Sequence, residues 1–289
     1  MNLKQKTDNI LNMYDLKAKK RFGQNFLVDE SIIDKIVEKS NINNEDVVIE
    51  IGPGLGNLTE KLIEKAKIVL AFEIDEDMVK VLNGRFKEVS NFILVNKDIL
   101  KVNLRDVLTQ NNIQFNNIKI VANLPYYITT PIMFKIFEEA NYIESMTIMV
   151  QKEVADRIVA SPKSKNYGVL TVNTKYYGEA VKLFDVPNTC FIPSPNVTSS
   201  IVKINICNHY VVKNEEIFFK LVKASFAQRR KKLINSLENS NVFKLPKEKL
   251  KEILIKNGVE ENLRAEEISI DTYVDIANMI YKEIKKSED

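Results

Sequence analysis

The chain has 289 residues and a mass of 33.2 kDa, a length that corresponds to one large or two medium-sized domains. Its hydrophobic fraction of 45% supports a packed core, and its net charge of +3 excludes a polycation that holds nucleic acid by overall charge alone. Two cysteines and one histidine exclude a disulfide framework and argue against a metal cluster, so we expect no bound metal.

The N-terminal region carries no targeting signal. The first twenty residues are polar and rich in lysine, and no stretch of the chain approaches the ~18 consecutive apolar residues of a membrane span. We therefore expect a soluble protein in a reducing compartment, most simply the cytoplasm.

Short β-branched runs alternate with amphipathic stretches between about residues 46 and 150. The runs predict strands at residues 47–51, 68–72, 92–95, 118–121 and 146–150. Helical spacing of apolar side chains predicts a helix over residues 57–66 and another through Met78, Val79 and Leu82. This alternation is typical of an α/β fold with a parallel sheet and helices on both faces.

The sequence changes character after about residue 208. Residues 178–185 and 199–206 are predicted to be extended, and a proline-marked loop joins them. From Glu215 onward the pattern is helical and contains no convincing strand. We therefore predict a catalytic domain over residues 1–208 and a smaller all-α domain over residues 209–289.

A glycine turn and two acidic residues predict a nucleotide site. Residues 52–56 (GPGLG) follow the first predicted strand, Glu73 closes the second, and Asp98 follows the third. Glycines let the backbone approach a ligand closely. The carboxylate of Glu73 can accept hydrogen bonds from the hydroxyls of a ribose, and that of Asp98 can accept one from the amine of an adenine. The G-x-G-x-G spacing differs from the dinucleotide fingerprint, which favours a nucleoside ligand without a pyrophosphate, S-adenosylmethionine. A tight turn with a surface Glu73, and Asp98 as a helix N-cap, are the structural alternatives.

The segment Asn123-Leu124-Pro125-Tyr126 after the fourth strand predicts the chemical site. The amine of adenine is a poor nucleophile, and two fixed acceptors on its hydrogens would localise its lone pair as attack begins. The Asn123 side chain and the Leu124 carbonyl can supply them, Pro125 stiffens the backbone, and Tyr126 offers a flat face for an extruded base. Phe191 is a candidate for the opposite face of that base, or else a hydrophobic plug.

Two clusters of cations without acidic residues predict contacts with RNA phosphates. One lies between Asp15 and Asp29, and the other lies between Glu216 and Glu238. The alternative is that each is a solvated helix face. The candidate RNA-binding residues are Lys19, Lys20, Arg21, Lys220, Lys223, Arg229, Arg230, Lys231 and Lys232.

The sequence resembles the ribosomal RNA adenine dimethyltransferases, in particular the small-subunit enzymes whose loss confers kasugamycin resistance. The similarity extends over residues 17–270. It rests on residues 21–27 (RFGQNFL), 50–56 (EIGPGLG), 123–126 (NLPY), 164–168 (SKNYG), 191–197 (FIPSPNV), 228–231 (QRRK) and 264–267 (RAEE). Ser194 and Asn196 depart from the family's pattern, in which a second proline or a basic residue is common.

The resemblance implies a Rossmann-like catalytic domain with a smaller helical RNA-binding domain. It also implies transfer of two methyl groups from S-adenosylmethionine to N6 of each of two adjacent adenines near the 3′ end of small-subunit (16S) rRNA, in a 30S or pre-30S particle. A monomer and a role in small-subunit biogenesis are the corresponding expectations. Asn25 and Leu27 are cofactor contacts by resemblance alone. The full candidate set for the cofactor is Asn25, Leu27, Gly52, Gly54, Glu73, Ile74, Asp98, Ile99 and Asn123.

Three alternatives remain at this point. The macrolide-resistance methylases of large-subunit rRNA share the blocks at residues 21–27, 50–56, 123–126 and 191–197, but they are less similar at residues 167–168 and 228–231. A dinucleotide oxidoreductase is disfavoured by the glycine spacing and by the lack of a suitable acid for hydride transfer. A non-catalytic ribosome-assembly factor is disfavoured as the sole role by the intact sequence of residues 123–126.

Overall fold

The computed structural model describes residues 1–19, 22–207 and 209–288. Its strands are β1 (Phe26–Leu27), β2 (Val47–Ile51), β3 (Ile68–Phe72), β4 (Phe92–Val95), β5 (Ile118–Asn123), β6 (Ile143–Gln151), β7 (Gly178–Val186), β8 (Phe191–Ile192) and β9 (Ser199–Ile206). Its helices are α1 (Leu3–Met13), α2 (Glu30–Lys39), α3 (Asn57–Ile63), α4 (Glu76–Phe86), α5 (Leu104–Gln110), α6 (Thr129–Glu138), α7 (Lys152–Ile158), α8 (Val169–Tyr177), α9 (Glu215–Phe226), α10 (Leu233–Ser240), α11 (Lys247–Lys256) and α12 (Ile270–Glu288).

A seven-stranded mixed sheet organises the first part of the chain, in the order β4-β3-β2-β5-β6-β9-β7. The pairs β3/β4, β2/β3, β2/β5 and β5/β6 are parallel, and β9 runs antiparallel to β6. All five residues of β2 are buried, which explains why this strand is a continuous apolar run with one acidic residue. Because β2, β3, β4 and β5 are parallel, the turns that follow them lie at one edge of the sheet.

Two compact units divide the chain. The first comprises Met1–Ala155 and Val181–Ile206, and the second comprises Asp156–Ala180 with the residues from Cys207 onward. This division differs from the predicted domain boundary at residue 208, since residues 156–180 fall in the second unit. Their side chains explain the difference, because Tyr167, Val172 and Tyr176 are buried in the apolar cluster that also contains Phe218 and Tyr273.

The second unit is helical, as expected from the sequence beyond Glu215. Helices α9, α10, α11 and α12 contact one another in sequence-adjacent pairs, and α9 and α12 also contact each other and α8. Asn214 caps α9 by accepting a hydrogen bond from the backbone N–H of Ile217 at 2.9 Å. Among the described residues, none of the helices combines the length and the apolar character needed to traverse a lipid bilayer.

Candidate functional site

A cleft of about 1050 Å³ opens at the edge of the sheet where β2, β3, β4 and β5 end. Twelve of the residues predicted for the site line this one cleft: Asn25, Leu27, Gly52, Gly54, Glu73, Ile74, Asp98, Ile99, Asn123, Leu124, Pro125 and Tyr126. Ten of them lie at the carboxyl ends of β2, β3, β4 and β5, which the parallel strands bring together, and Asn25 and Leu27 come from the N-terminal segment.

The glycine turn between β2 and α3 has a left-handed backbone. Gly52, Gly54 and Gly56 have φ angles of 69°, 57° and 81°, which side chains other than glycine rarely adopt. A Cβ on Gly56 would lie 2.5 Å from Cε2 of Phe86, so this glycine allows helix α4 to pack closely. Gly52 and Gly54 line the cleft instead, where their backbone can meet a ligand.

The carboxylate of Glu73 is held by backbone donors at the end of β3. Its Oε1 accepts hydrogen bonds from the N–H groups of Ile74 and Asp75, each at 2.9 Å, and its Oε2 accepts one from Gly54 at 3.2 Å. The residue is only 7% exposed, and this burial raises the pKa of the carboxyl group. A carboxylate offers about four lone-pair sites, so capacity remains for a hydroxyl of a ligand.

Asp98 is a helix cap that also lines the cleft. It caps a short 3-10 helix (Ile99–Lys101), because its Oδ1 accepts a hydrogen bond from the N–H of Leu100 at 3.0 Å. It also lines the cleft, and its Oδ2 lies 3.7 Å from the ammonium of Lys101. The capping bond fixes one oxygen and leaves the other for a donor in the cleft.

Asn123 and Leu124 present acceptors at the end of β5. The Nδ2 of Asn123 donates to the carbonyl of Asn25 at 3.3 Å, which orients the amide and turns its Oδ1 away from that carbonyl. The N–H of Leu124 donates to the carbonyl of Met149 at 3.1 Å and so continues the sheet. Within the described residues, neither Asn123 Oδ1 nor the carbonyl of Leu124 has a hydrogen-bond partner in the protein.

Pro125 and Tyr126 complete this corner. The ring of Pro125 packs over the glycine turn, with its Cδ 3.8 Å from where a Cβ on Gly52 would lie. Tyr126 begins a 3-10 helix (Tyr126–Ile128), and its hydroxyl lies 2.6 Å from Oγ of Ser199. Burial raises the pKa of Tyr126, so its hydroxyl stays protonated at neutral pH.

The N-terminal segment is tied to the turn that carries Glu73. Gln24 donates from Nε2 to Oδ2 of Asp75 at 2.7 Å, and the ammonium of Lys19 contacts the carboxylates of Asp75 and Asp77 at 2.6 and 2.5 Å. These bonds place Asn25 beside Asn123. Sequence reasoning missed the bond between Gln24 and Asp75 because nothing local marks a pairing over fifty residues.

Other cleft residues were also missed. Glu50 in β2 lines the cleft at 1% exposure, accepts a hydrogen bond from Oγ1 of Thr59 at 2.6 Å, and has its pKa raised to about 8 by burial. Tyr127 is 53% exposed at the cleft and packs beside Gly23. Lys97 is the one cationic side chain among the described lining residues, which also include three carboxyl groups.

Phe191 is buried in this structure. The residue is 3% exposed, is absent from the residues that line the cleft, and belongs to a core cluster with Leu27 and Val186. It pairs with Leu27 across the short sheet of β1 and β8. This packing is compatible with the hydrophobic plug, one of the two interpretations that the sequence left open, and a contact with one face of a base stays a prediction.

The predicted RNA-binding residues differ in their surroundings. Lys20 and Arg21 lie outside the described residues, and Lys19 is bound to Asp75 and Asp77 as given above. Arg229 donates to the carbonyls of Lys165 and Tyr167 at 2.8 and 3.2 Å, which gives it a structural role in the second unit. Lys220 is paired with Glu216 at 2.6 Å. The remaining candidates are exposed: Lys223, Arg230, Lys231 and Lys232.

One group of potential metal ligands occurs among the described residues, in the second unit. Ligand atoms of Glu179, Cys207 and His209 lie within 4.8 Å of one another, and Glu179 and His209 are exposed. Sequence spacing did not reveal this group because Glu179 is remote in the chain. It lies outside the residues that line the cleft.

Comparisons with known proteins agree with this geometry. A family model described as ribosomal RNA adenine dimethylase matches residues 15–282. The chain is 43% identical to the ribosomal RNA small subunit methyltransferase A of Halothermothrix orenii, over 98% of this chain and 94% of that protein. It is 42% identical to the protein of the same name from Bacillus mycoides, over 95% of each.

Two solved structures are similar over most of the chain. A dimethyladenosine transferase from Plasmodium falciparum superposes with a TM-score of 0.73 at 26% identity, over 88% of this chain and 97% of that one. The 23S rRNA methyltransferase ErmE superposes with a TM-score of 0.66 at 25% identity, over 89% of this chain and all of that one (100%).

Proposed function

Because the chain belongs to the ribosomal RNA adenine dimethylase family, we propose that it dimethylates N6 of two adjacent adenines near the 3′ end of small-subunit rRNA. The chain is an S-adenosylmethionine-dependent rRNA methyltransferase with a Rossmann-like fold, as expected from the sequence. The two adenines, the dimethylated product and a role in small-subunit biogenesis are the proposed part. The relatives at 40–43% identity are small-subunit enzymes by name, which favours that substrate over the large-subunit alternative.

The charge and the acceptors of the cleft carry the proposal. Glu73 and Asp98 bring two carboxylates to it, against the single cation Lys97 among the described lining residues, and burial keeps the third carboxyl group, that of Glu50, protonated by raising its pKa to about 8. A pyrophosphate would be repelled there, whereas a sulfonium cation would be attracted. The residues therefore fit S-adenosylmethionine, with the Glu73 carboxylate at the ribose hydroxyls and Asp98 at the adenine amine.

The catalytic corner supplies two acceptors for a target amine. When bound, S-adenosylmethionine would supply an electrophilic methyl carbon on a positively charged sulfur. The sulfur is the leaving group, and an adenine amine that attacks the methyl carbon in line can displace it. Asn123 Oδ1 and the Leu124 carbonyl would each accept a hydrogen bond from the target amine. These two bonds favour a pyramidal nitrogen whose lone pair points at the methyl carbon. Their orientation is set beforehand by the bonds to Asn25 and Met149, so little reorganisation accompanies attack.

Tyr126 would support the extruded base, since its ring lines the cleft next to Asn123. No base from the protein is required, because the methylated amine is acidic and its proton can leave to water. After the first transfer one hydrogen remains on the nitrogen, so one of the two acceptors is sufficient for the second transfer. The proposed catalytic group comprises Asn123, Leu124, Pro125 and Tyr126, and Phe191 stays a candidate for the opposite face of the base.

RNA phosphates would bind the exposed cations of the second unit. Lys223, Arg230, Lys231 and Lys232 are exposed within or just after α9, and arginine can bind phosphate with two hydrogen bonds. These contacts would position the RNA, whereas the cleft would read the base. We propose a monomer that acts on a 30S or pre-30S particle, and hence a protein located with ribosomes in the cytoplasm.

Methylation mapping tests the proposed function. Small ribosomal subunits that lack the modification are incubated with the protein and labelled S-adenosylmethionine, and the modified nucleotides are then mapped. The proposal expects two adjacent dimethylated adenines near the 3′ end of the small-subunit rRNA. Label in 23S rRNA alone, in a parallel incubation with large-subunit rRNA, would support the macrolide-resistance type instead.

A further inference from the structure

Tyr126 is anchored at the far end of its ring by a buried serine. Its hydroxyl lies 2.6 Å from Oγ of Ser199, which is the first residue of β9 and is 0% exposed. The backbone around Ser199 is fixed on both sides, because Ser199 is paired with Gln151 of β6 and the carbonyl of Thr198 accepts the N–H of Lys152 at 3.0 Å. The hydrogen bond therefore joins a cleft side chain to the central sheet.

The rest of Tyr126 is held less firmly. It lies in a 3-10 helix of three residues, closed by the bond from the N–H of Ile128 to the carbonyl of Pro125 at 3.2 Å. A bond at the hydroxyl restricts the tilt of the ring, since the two ends of the side chain are then fixed. Within a cleft that must align an amine with a methyl carbon, a small tilt would misplace the base.

We propose that Ser199 is a positioning residue for methyl transfer, which holds the Tyr126 ring in the plane that supports the target adenine. This inference rests on the proposed function, in which Tyr126 is the platform for the base. Ser199 does not touch the substrate, so it acts through Tyr126. Its loss lowers the rate of methyl transfer to bound RNA and leaves the binding of RNA and of S-adenosylmethionine unchanged.

The neighbouring Ser200 provides a matched control. It is also 0% exposed and also makes one side-chain hydrogen bond, from its Oγ to Oδ1 of Asp185 at 2.7 Å. Successive side chains of a strand point to opposite faces, so Ser200 faces away from Tyr126. A Ser200→Ala variant loses the same atoms from the same strand without loosening the ring.

The test is a double-mutant cycle on Ser199→Ala and Tyr126→Phe, with Ser200→Ala as the matched control. Each of the first two variants removes one partner of the same bond, so we expect each to lower kcat about three- to tenfold with KM for RNA unchanged. The double variant should lose no more than the larger single loss, because the bond can be removed only once. Ser200→Ala should lower the melting temperature but leave kcat unchanged.

Three results would overturn the inference: wild-type kcat in Ser199→Ala, an equal loss of kcat in Ser200→Ala, or losses in Ser199→Ala and Tyr126→Phe that multiply in the double variant. A failure of the proposed function gives a different result, because the wild-type protein would then transfer no methyl groups to the small-subunit rRNA. An inactive Asn123→Ala together with a fully active Ser199→Ala refutes the role of Ser199 alone.

Discussion

The substitution Asn123→Ala removes one acceptor from the catalytic corner and leaves Glu73 and Asp98 in place. Removal of one preorganised hydrogen-bonding group from an active site costs about 10²–10³ in kcat, or about 3–4 kcal/mol in the barrier. The structural cost is smaller, because the bond lost within the protein is the one from Asn123 Nδ2 to the carbonyl of Asn25 at 3.3 Å. A bond of this kind contributes about 0.5–1.5 kcal/mol to stability.

The assay separates the two costs. Transfer of labelled methyl groups to unmethylated small subunits gives kcat, filter binding gives the RNA affinity, and thermal unfolding gives the stability. We expect a loss of kcat of at least about 100-fold, an RNA affinity within about twofold of wild type, and a melting temperature lowered by a few degrees.

Asn91→Ala is the matched control. The Nδ2 of Asn91 donates to the carbonyls of Ile63 and Ala66 at 2.9 and 3.1 Å, and the residue does not line the cleft. This variant should lose at least as much stability as Asn123→Ala and keep its kcat. Equal losses of kcat in both variants, or a parallel loss of RNA binding and transfer in Asn123→Ala, would show that Asn123 is structural.

Three further predictions concern the cofactor, the RNA and the buried carboxyl group. Glu73→Ala should raise the Kd for S-adenosylhomocysteine at least about tenfold in a calorimetric titration, since bonds between a ligand and a charged group contribute about 1.5–3 kcal/mol; unaltered affinity would contradict the ribose assignment. Replacement of Arg230, Lys231 and Lys232 by alanine should weaken RNA binding at low salt and flatten its salt dependence, with cofactor affinity unchanged; an unaltered salt dependence would remove this cluster from the interface. The folded state holds a proton on Glu50 between its ordinary pKa of 4.5 and about 8, so this group makes stability fall as pH rises through that window. The melting temperature of Glu50→Gln, taken relative to that of the wild type, should therefore rise between pH 5 and pH 8. A difference in melting temperature that does not depend on pH would contradict the raised pKa.

Strands were predictable where burial on both faces produces a continuous apolar run. The predicted bounds of β2 and β3 (residues 47–51 and 68–72) are those of the structure. The bounds of β4 (residues 92–95) were also predicted from a continuous apolar run, although its four residues are only partly buried. Helix α1 was missed because its sequence is mostly polar, and it is held by contacts that are distant in the chain, such as the bond between Thr7 and Asn57 at 3.0 Å. The pairing of β1 with β8 involves two residues on each strand, too few for a periodic pattern.

The location of the site was predictable because parallel strands bring their carboxyl ends to one edge. Residue types after β2, β3, β4 and β5 were therefore sufficient to find Gly52, Glu73, Asp98 and Asn123, whereas Asn25 and Leu27 came from the resemblance alone. What the sequence could not show is which side chains are already engaged. Phe191 and Arg229 have the residue types expected for stacking and for phosphate binding, but packing against Leu27 and bonds to the carbonyls of Lys165 and Tyr167 occupy them.

A crystal structure of the protein with S-adenosylhomocysteine tests the central claim most directly. That claim is that the methyl donor binds in the same cleft as the two hydrogen-bond acceptors for the target amine. The account predicts ribose hydroxyls within about 3.2 Å of the Glu73 carboxylate and a sulfur that faces Asn123 Oδ1 and the Leu124 carbonyl. A ligand bound outside this cleft, or one whose sulfur faces away from Asn123, would contradict it.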